Sequence, residues 1–218
     1  MGNRRCWRFL GILVIFISGV FVSSGGFAQD AQDVLEQLRK KYDTIKDAEV
    51  QFSSRMKFSI AKVEQRTSGR LQFKKEHKYR VELEDQTVVT DGETVWSYSA
   101  SANQVLIDHF KLDERMLSPE QILTAAPRDF SATTIGHEKS GKRDLIILKL
   151  VPKGEQSTLK SMKLWVDDDE WLIRKVELVD LNGTETVYVV NDFRLNTGLE
   201  DTRFSYQVPE GATVVDLR

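Results

Sequence analysis

Two stretches, Arg70-Leu71-Gln72-Phe73-Lys74 and Lys78-Tyr79-Arg80-Val81-Glu82-Leu83-Glu84, decide how this chain folds. In both, every second residue is apolar and its neighbours are polar or charged. Side chains along a strand point alternately to opposite faces, so this alternation describes antiparallel strands with one apolar and one solvated face. Upstream, Val50, Phe52, Met56, Phe58 and Ile60 keep the same period, apart from Ser54. Downstream, Asp91-Gly92 lies between Val88-Val89 and Val95-Trp96, and Asn182-Gly183 between the runs 176–181 and 184–190. Each pair predicts a tight hairpin, because Asp-Gly and Asn-Gly supply the positive φ that such turns require. The acidic run 167–170 joins a further pair of strands and reads as a solvated turn.

Helical spacing is confined to two places. Val34, Leu35, Leu38, Tyr42 and Ile45 predict an amphipathic helix over 30–45, with Asp30 at its start. Ser118-Pro119-Glu120-Gln121 has the order of a helix N-terminus and predicts a second helix running to Ala126, before Pro127. About ten strands accompany them. A long antiparallel sheet must close on itself or be covered. The expected fold is therefore mainly β (α+β): a strongly curved, incompletely closed antiparallel β-barrel whose concave apolar cavity is covered by helices.

The N-terminus reads separately. Arg4, Arg5 and Arg8 precede an apolar run of 14 residues, 9–22, and Gly26 and Ala28 occupy the −3 and −1 positions of a cut before Gln29. A spanning helix needs about 20 apolar residues. The expectation is a cleavable signal peptide over 1–28, followed by one domain over 29–218 that is exported to the periplasm. Cys6 is the only cysteine and precedes the apolar run, so residues 29–218 hold no thiol for a disulfide, a lipid anchor, a nucleophile or a metal site. Those residues carry 28 Lys and Arg against 33 Asp and Glu, without a basic block. Nucleic-acid binding, which needs clustered cations to neutralise phosphates, is not expected.

Motifs for catalysis are missing. His77, His109 and His137 stand apart without metal-ligand spacing, and no nucleophile elbow, phosphate loop or dinucleotide fingerprint occurs. The 167–170 run lacks the alternating ligands and central glycine of a calcium loop. The expectation is no enzyme, no cofactor and no metal.

Several segments, taken in order, carry a resemblance. They are Ala48-Glu49-Val50-Gln51-Phe52; Gly69-Arg70-Leu71-Gln72-Phe73-Lys74-Lys75 followed by Tyr79-Arg80; the hairpin Val89-Thr90-Asp91-Gly92-Glu93-Thr94-Val95-Trp96-Ser97-Tyr98; Leu164-Trp165-Val166-Asp167 followed by Leu172-Ile173-Arg174; and the ending Phe204-Ser205-Tyr206-Gln207-Val208-Pro209-Glu210-Gly211-Ala212-Thr213-Val214-Val215-Asp216. With the leader, their order and spacing resemble the LolA family of periplasmic outer-membrane lipoprotein carriers, over most of the chain after residue 28.

The resemblance implies a monomeric chaperone that shields the acyl chains of outer-membrane lipoproteins. The donor would be an inner-membrane ABC transporter of the LolCDE kind, and the recipient a LolB-like outer-membrane acceptor where one exists. Relatives of this fold also serve as lipid-binding or envelope-stress-sensing interaction proteins, which is the alternative. Alternation alone makes Phe52, Phe58, Tyr79, Val81, Leu83, Met162 and Leu164 an ordinary packed face. The resemblance makes them the candidates for acyl-chain contact. Trp96 and Tyr98 stand evenly between packing and cargo contact. In the family a basic residue in the turn after the Gly-led strand holds the helical lid, as Arg; by position it is Lys75 here. The family's following Pro is replaced by Glu76. Lysine lacks the two-pronged guanidinium fork, so its hold on a lid differs from that of arginine.

Overall fold

The alternating stretches pair as expected. In the computed structural model, which describes residues 26–59, 61–111, 129–154 and 157–218, β2 (Glu64–Lys74) and β3 (Lys78–Glu82) are antiparallel neighbours, with Leu71 opposite Val81 and Phe73 opposite Tyr79. The strand β1 (Asp47–Lys57) flanks β2 on its other side. The Asp91-Gly92 hairpin joins β4 (Gln86–Thr90) to β5 (Thr94–Ser99), and β6 (Gln104–His109) follows. Gly92 has φ +99°, and a Cβ there would sit 2.5 Å from the Glu76 carbonyl oxygen, so the hairpin needs glycine on both counts.

The second half is a meander of longer strands. These are β7 (Phe130–Ser140), β8 (Arg143–Pro152), β9 (Leu159–Asp167), β10 (Leu172–Asp180) and β11 (Glu185–Leu195). β11 pairs with β1 and so welds the halves into one sheet. A last short strand, β12 (Thr213–Asp216), adds in parallel beside β6. The order is β12-β6-β5-β4-β3-β2-β1-β11-β10-β9-β8-β7, and its ends do not pair, leaving an incompletely closed, mainly β barrel. The expectation of about ten strands missed β12 above all, because a parallel partner far along the chain leaves no hairpin signal.

The helix α1 spans Gly26–Asp43, beginning four residues before Asp30 and ending two before Ile45. Its apolar stripe of Ala31, Val34, Leu35 and Leu38 is buried against Ala132, Leu148, Leu150, Met162, Leu164, Val166 and Leu178 of the sheet. Tyr42 and Ile45, at and beyond its end, meet Ala48, Phe73 and Tyr79. The helix expected over 118–126 lies outside the described residues.

The opposite face has its own cover. Register places Val89, Trp96 and Ile107 in one row and Tyr98 beside Val105. Over them runs the C-terminal segment, which includes a short 3-10 helix, Asp201–Phe204. Asp201 is gripped by Lys74 and Lys78, the Arg203 carbonyl accepts from Arg80, and Tyr206 lies 6.2 Å from the Tyr98 ring. Val89, Val105 and Phe204 are buried as a result.

Candidate functional site

The strand registers decide which candidates share a face. Phe52 lies opposite Val190 and Gly69, Val81 opposite Leu71 and Val88, Tyr79 opposite Phe73, and Leu164 and Met162 opposite Val176 and Leu178. Followed across the sheet, these rows put Phe52, Tyr79, Val81, Met162 and Leu164 on the face that carries α1. Leu83 follows β3 and belongs there too: a Cβ on Gly69 would sit 2.6 Å from its Cδ2 and 3.0 Å from Cζ of Phe52. Gly69 thus forms a shallow seat over which Leu83 and Phe52 meet. Phe58 comes just after the end of β1, where its N–H bonds to the Val63 carbonyl at 2.9 Å.

One face does not mean one environment. Met162 and Leu164 are 2% and 0% exposed, packed beneath α1. Tyr79 is equally enclosed, its ring stacked 5.7 Å from Phe73, which in turn stacks 5.5 Å from Tyr42 of the helix. Phe52, Phe58, Val81 and Leu83 are half-buried. They belong to an apolar strip beyond the footprint of α1, continued by Val88 and by Leu106, 38% exposed. Tyr188 closes the strip on the β11 side, its ring 6.2 Å from that of Phe52 in an edge-on arrangement. Desolvation pushes the Tyr188 phenol above its ordinary pKa, as an apolar setting should. Sequence reading missed Tyr188, because 187–190 is apolar at consecutive positions and period two selects no face there.

Lys75 occupies the β2–β3 turn, between Lys74 and the positive-φ residues Glu76 (+70°) and His77 (+60°). Its Nζ donates to the carbonyl of Asp43, the last residue of α1, at 2.7 Å, and its N–H to the Lys46 carbonyl at 3.1 Å. A cation at a helix C-terminus meets both an orphan carbonyl and the negative end of the helix dipole. One turn thereby holds the end of the helix that covers the apolar face.

Trp96 and Tyr98 point to the other face, under the C-terminal segment, and do not join the Phe52 strip. Two clefts also open there, one of about 280 Å³ bordered by Arg143, Arg174 and Asp192, the other of about 640 Å³ bordered by Ser53, Arg55 and Glu177. The smaller has a mainly polar lining and the larger a mixed one that includes Val187 and Val189; neither holds a catalytic arrangement of the kinds sought above.

Asp167, Asp168 and Asp169 bring carboxylate oxygens within 4.8 Å of one another. Asp167 is already committed. It accepts the N–H groups of Asp169 and Glu170 and the Arg174 Nε, with Arg143 Nε at 3.3 Å. Burial would raise its pKa, but the Glu170 amide, the Arg174 guanidinium and the Asp169 amide outweigh it and hold the carboxyl below the usual range. The cluster works as the clamp of the β9–β10 turn.

An open antiparallel sheet with a helix laid on its apolar face, pinned through a basic turn, defines a class of proteins that offer a partly covered apolar surface. The comparisons narrow the class. The family model described as outer membrane lipoprotein carrier protein LolA matches residues 43–207, and the chain belongs to that family. An outer-membrane lipoprotein carrier protein of Glaesserella parasuis is 27% identical over 91% of this chain and 92% of its own length. An uncharacterized protein of Methanocaldococcus jannaschii is 23% identical over 96% of this chain; the chain spans 61% of that protein. Among solved structures, an uncharacterized conserved protein of Thermus thermophilus superposes with a TM-score of 0.59 at 16% identity, over 86% of this chain and 99% of that one, which shows a shared fold. No helix among the described residues is long and apolar enough to cross a membrane.

Proposed function

We propose that this protein, after loss of residues 1–28, is a periplasmic carrier that shields the acyl chains of lipoproteins and ferries them from the inner to the outer membrane, without catalysing a reaction. The observation that carries the reading is the half-buried strip of Phe52, Phe58, Val81 and Leu83, on the face that α1 covers only in part. An acyl chain leaves a bilayer at a cost of about 0.8 kcal/mol per CH₂, so roughly ten kcal/mol must be offset along one chain. A carrier has to replace that apolar environment and still let go. A strip that is open on one side, bounded by a helix held through Lys75 at one end, meets both demands. Met162, Leu164 and Tyr79 would come into contact with cargo where α1 lifts. Family membership supports lipoprotein as cargo, an ABC transporter of the LolCDE kind as donor and a LolB-like acceptor.

The experiment is release from spheroplasts. Added to spheroplasts that display newly made lipoproteins, the protein should bring them into the supernatant as a soluble complex of one carrier and one lipoprotein. If it releases none and instead co-purifies with a membrane-protein partner, it is an envelope sensor of the same fold.

A further inference from the structure

The hairpin tips of β1–β2 and β10–β11 meet at one end of the sheet. Ser59 Oγ donates to the Asn182 carbonyl at 3.3 Å, and a Cβ on Gly183 would lie 3.2 Å from that hydroxyl. The start of β9 joins them, because the Leu181 N–H bonds to the Thr158 carbonyl at 3.3 Å. Turns between strands are ordinarily polar. Here Leu181, within its turn, is 67% exposed, and Val63, which closes the β1–β2 loop by accepting the Phe58 N–H, is 55% exposed.

Basic side chains outnumber acidic ones around them, and the acidic ones are engaged. Glu185 is paired with Arg55, Glu64 with Arg66, and Asp180 accepts the Thr184 N–H. Lys62 and Lys160 are exposed and form no salt bridge among the described residues, whereas Lys57 stands opposite Glu64 and Glu185. The rim therefore presents two apolar side chains beside the exposed ammonium groups of Lys62 and Lys160. Two protruding side chains on turns give no flat area on which another folded protein could bury a standard interface. They do suit a fluid surface with apolar depth and phosphates at its boundary.

We propose that this rim docks on an anionic phospholipid surface. Leu181 and Val63 enter the headgroup layer, and Lys62 and Lys160 meet lipid phosphates. Phe58, at the same tip, begins the apolar strip that leads to Phe52 and Leu83, so docking turns the open end of that strip toward the bilayer. The inference concerns membrane contact and holds whatever the cargo is.

Flotation tests it. The purified protein, expressed from the whole chain, is mixed with vesicles of phosphatidylcholine alone or with about one third phosphatidylglycerol, a content that gives a surface potential comparable to anionic leaflets. Wild type should float with the anionic vesicles, less so at high salt, and stay behind with the neutral ones. Leu181→Asp, Val63→Asp and the double change Lys62→Glu with Lys160→Glu should each lower the bound fraction by about tenfold. Val214→Asp, on an apolar residue 47% exposed at the far edge of the sheet, should change nothing. The lysine pair is exposed and unpaired by any salt bridge among the described residues, so its variant should stay folded and keeps the test decisive even where an aspartate variant fails to fold. Absence of wild-type flotation, or equal flotation of wild type and the lysine variant, overturns the proposal. Binding of an alkyl probe in the absence of vesicles should be unaltered in the rim variants, which separates loss of docking from loss of the carrier function.

Discussion

The two halves of the apolar face share one sheet and one alternation but differ in what lies on them. Across β7–β10, α1 seals Leu148, Leu150, Met162 and Leu164 to 2% exposure or less. Across β1–β3, beyond the Phe73–Tyr79 stack, Phe52, Val81 and Leu83 remain half-buried. The sealed half gives the molecule a core of its own, so the open half is free to leave apolar surface uncovered. A binding surface of this kind is tolerable because stability does not depend on closing it.

The largest expected effect lies in the sealed half. Met162→Glu puts a carboxylate where no water reaches and should destabilise the fold by about 4 kcal/mol or more. Leu83→Glu sits at the edge of the open strip and should cost about 1 kcal/mol. Denaturant titration of both variants checks the contrast; equal losses would show that the two halves are one continuous core. Gly69→Ala should fall between them, at about 1–3 kcal/mol, because the added methyl meets the Glu82 carbonyl oxygen at 2.6 Å and backbone yields poorly. Its thermal unfolding midpoint, and the crystal positions of Phe52 and Leu83, would sharpen where the boundary runs.

How far the boundary could be read from sequence follows from what period two encodes. Period two marks Phe52, Tyr79, Val81, Met162 and Leu164 as apolar positions of their strands, which register places on one face, and the Asp91-Gly92 and Asn182-Gly183 turns stand where their dipeptides predict. It could not say what covers that face at each point. Met162 and Leu83 look equivalent in their strands, and the approach of α1, a contact distant in sequence, distinguishes them. Trp96 and Tyr98 were undecided for the same reason, since the segment that covers them arrives about a hundred residues later. The basic turn residue is legible through family resemblance; its partner, the Asp43 carbonyl, is set by where α1 ends.

A smaller effect is expected at that turn. Lys75→Leu removes the charge from the helix end and should cost about 0.3–1 kcal/mol. Amide exchange in the last turn of α1 should accelerate while strands β8 and β9 keep their protection. Lys75→Arg should preserve the protection. Uniform exchange in all three proteins would remove Lys75 from control of the helix.

The smallest effect concerns the covered outer face. Hydrogen bonds from Lys74 and Lys78 hold Asp201 down to a pKa of about 2. A carboxyl whose folded pKa lies below the unfolded value of about 3.9 contributes stability that is fully present above that value. It is lost as pH falls from there through about 2. The group is solvent-exposed, so the contribution is slight. Asp201→Asn should flatten acid unfolding in that window and leave neutral stability nearly unchanged. A large loss at pH 7 would mean that the C-terminal segment matters more to the fold than this geometry implies.

The central claim is that the open half of the apolar face receives alkyl chains. The direct measurement is binding of a fluorescent fatty-acyl probe to wild type and to Leu83→Glu, with the fold of each verified by circular dichroism. Wild type should bind the probe saturably, and Leu83→Glu, still folded, should lose affinity by about tenfold or more, because a charge now faces the chain. Equal affinity in two folded proteins would contradict the account and leave Phe52, Val81 and Leu83 as ordinary, incompletely covered core.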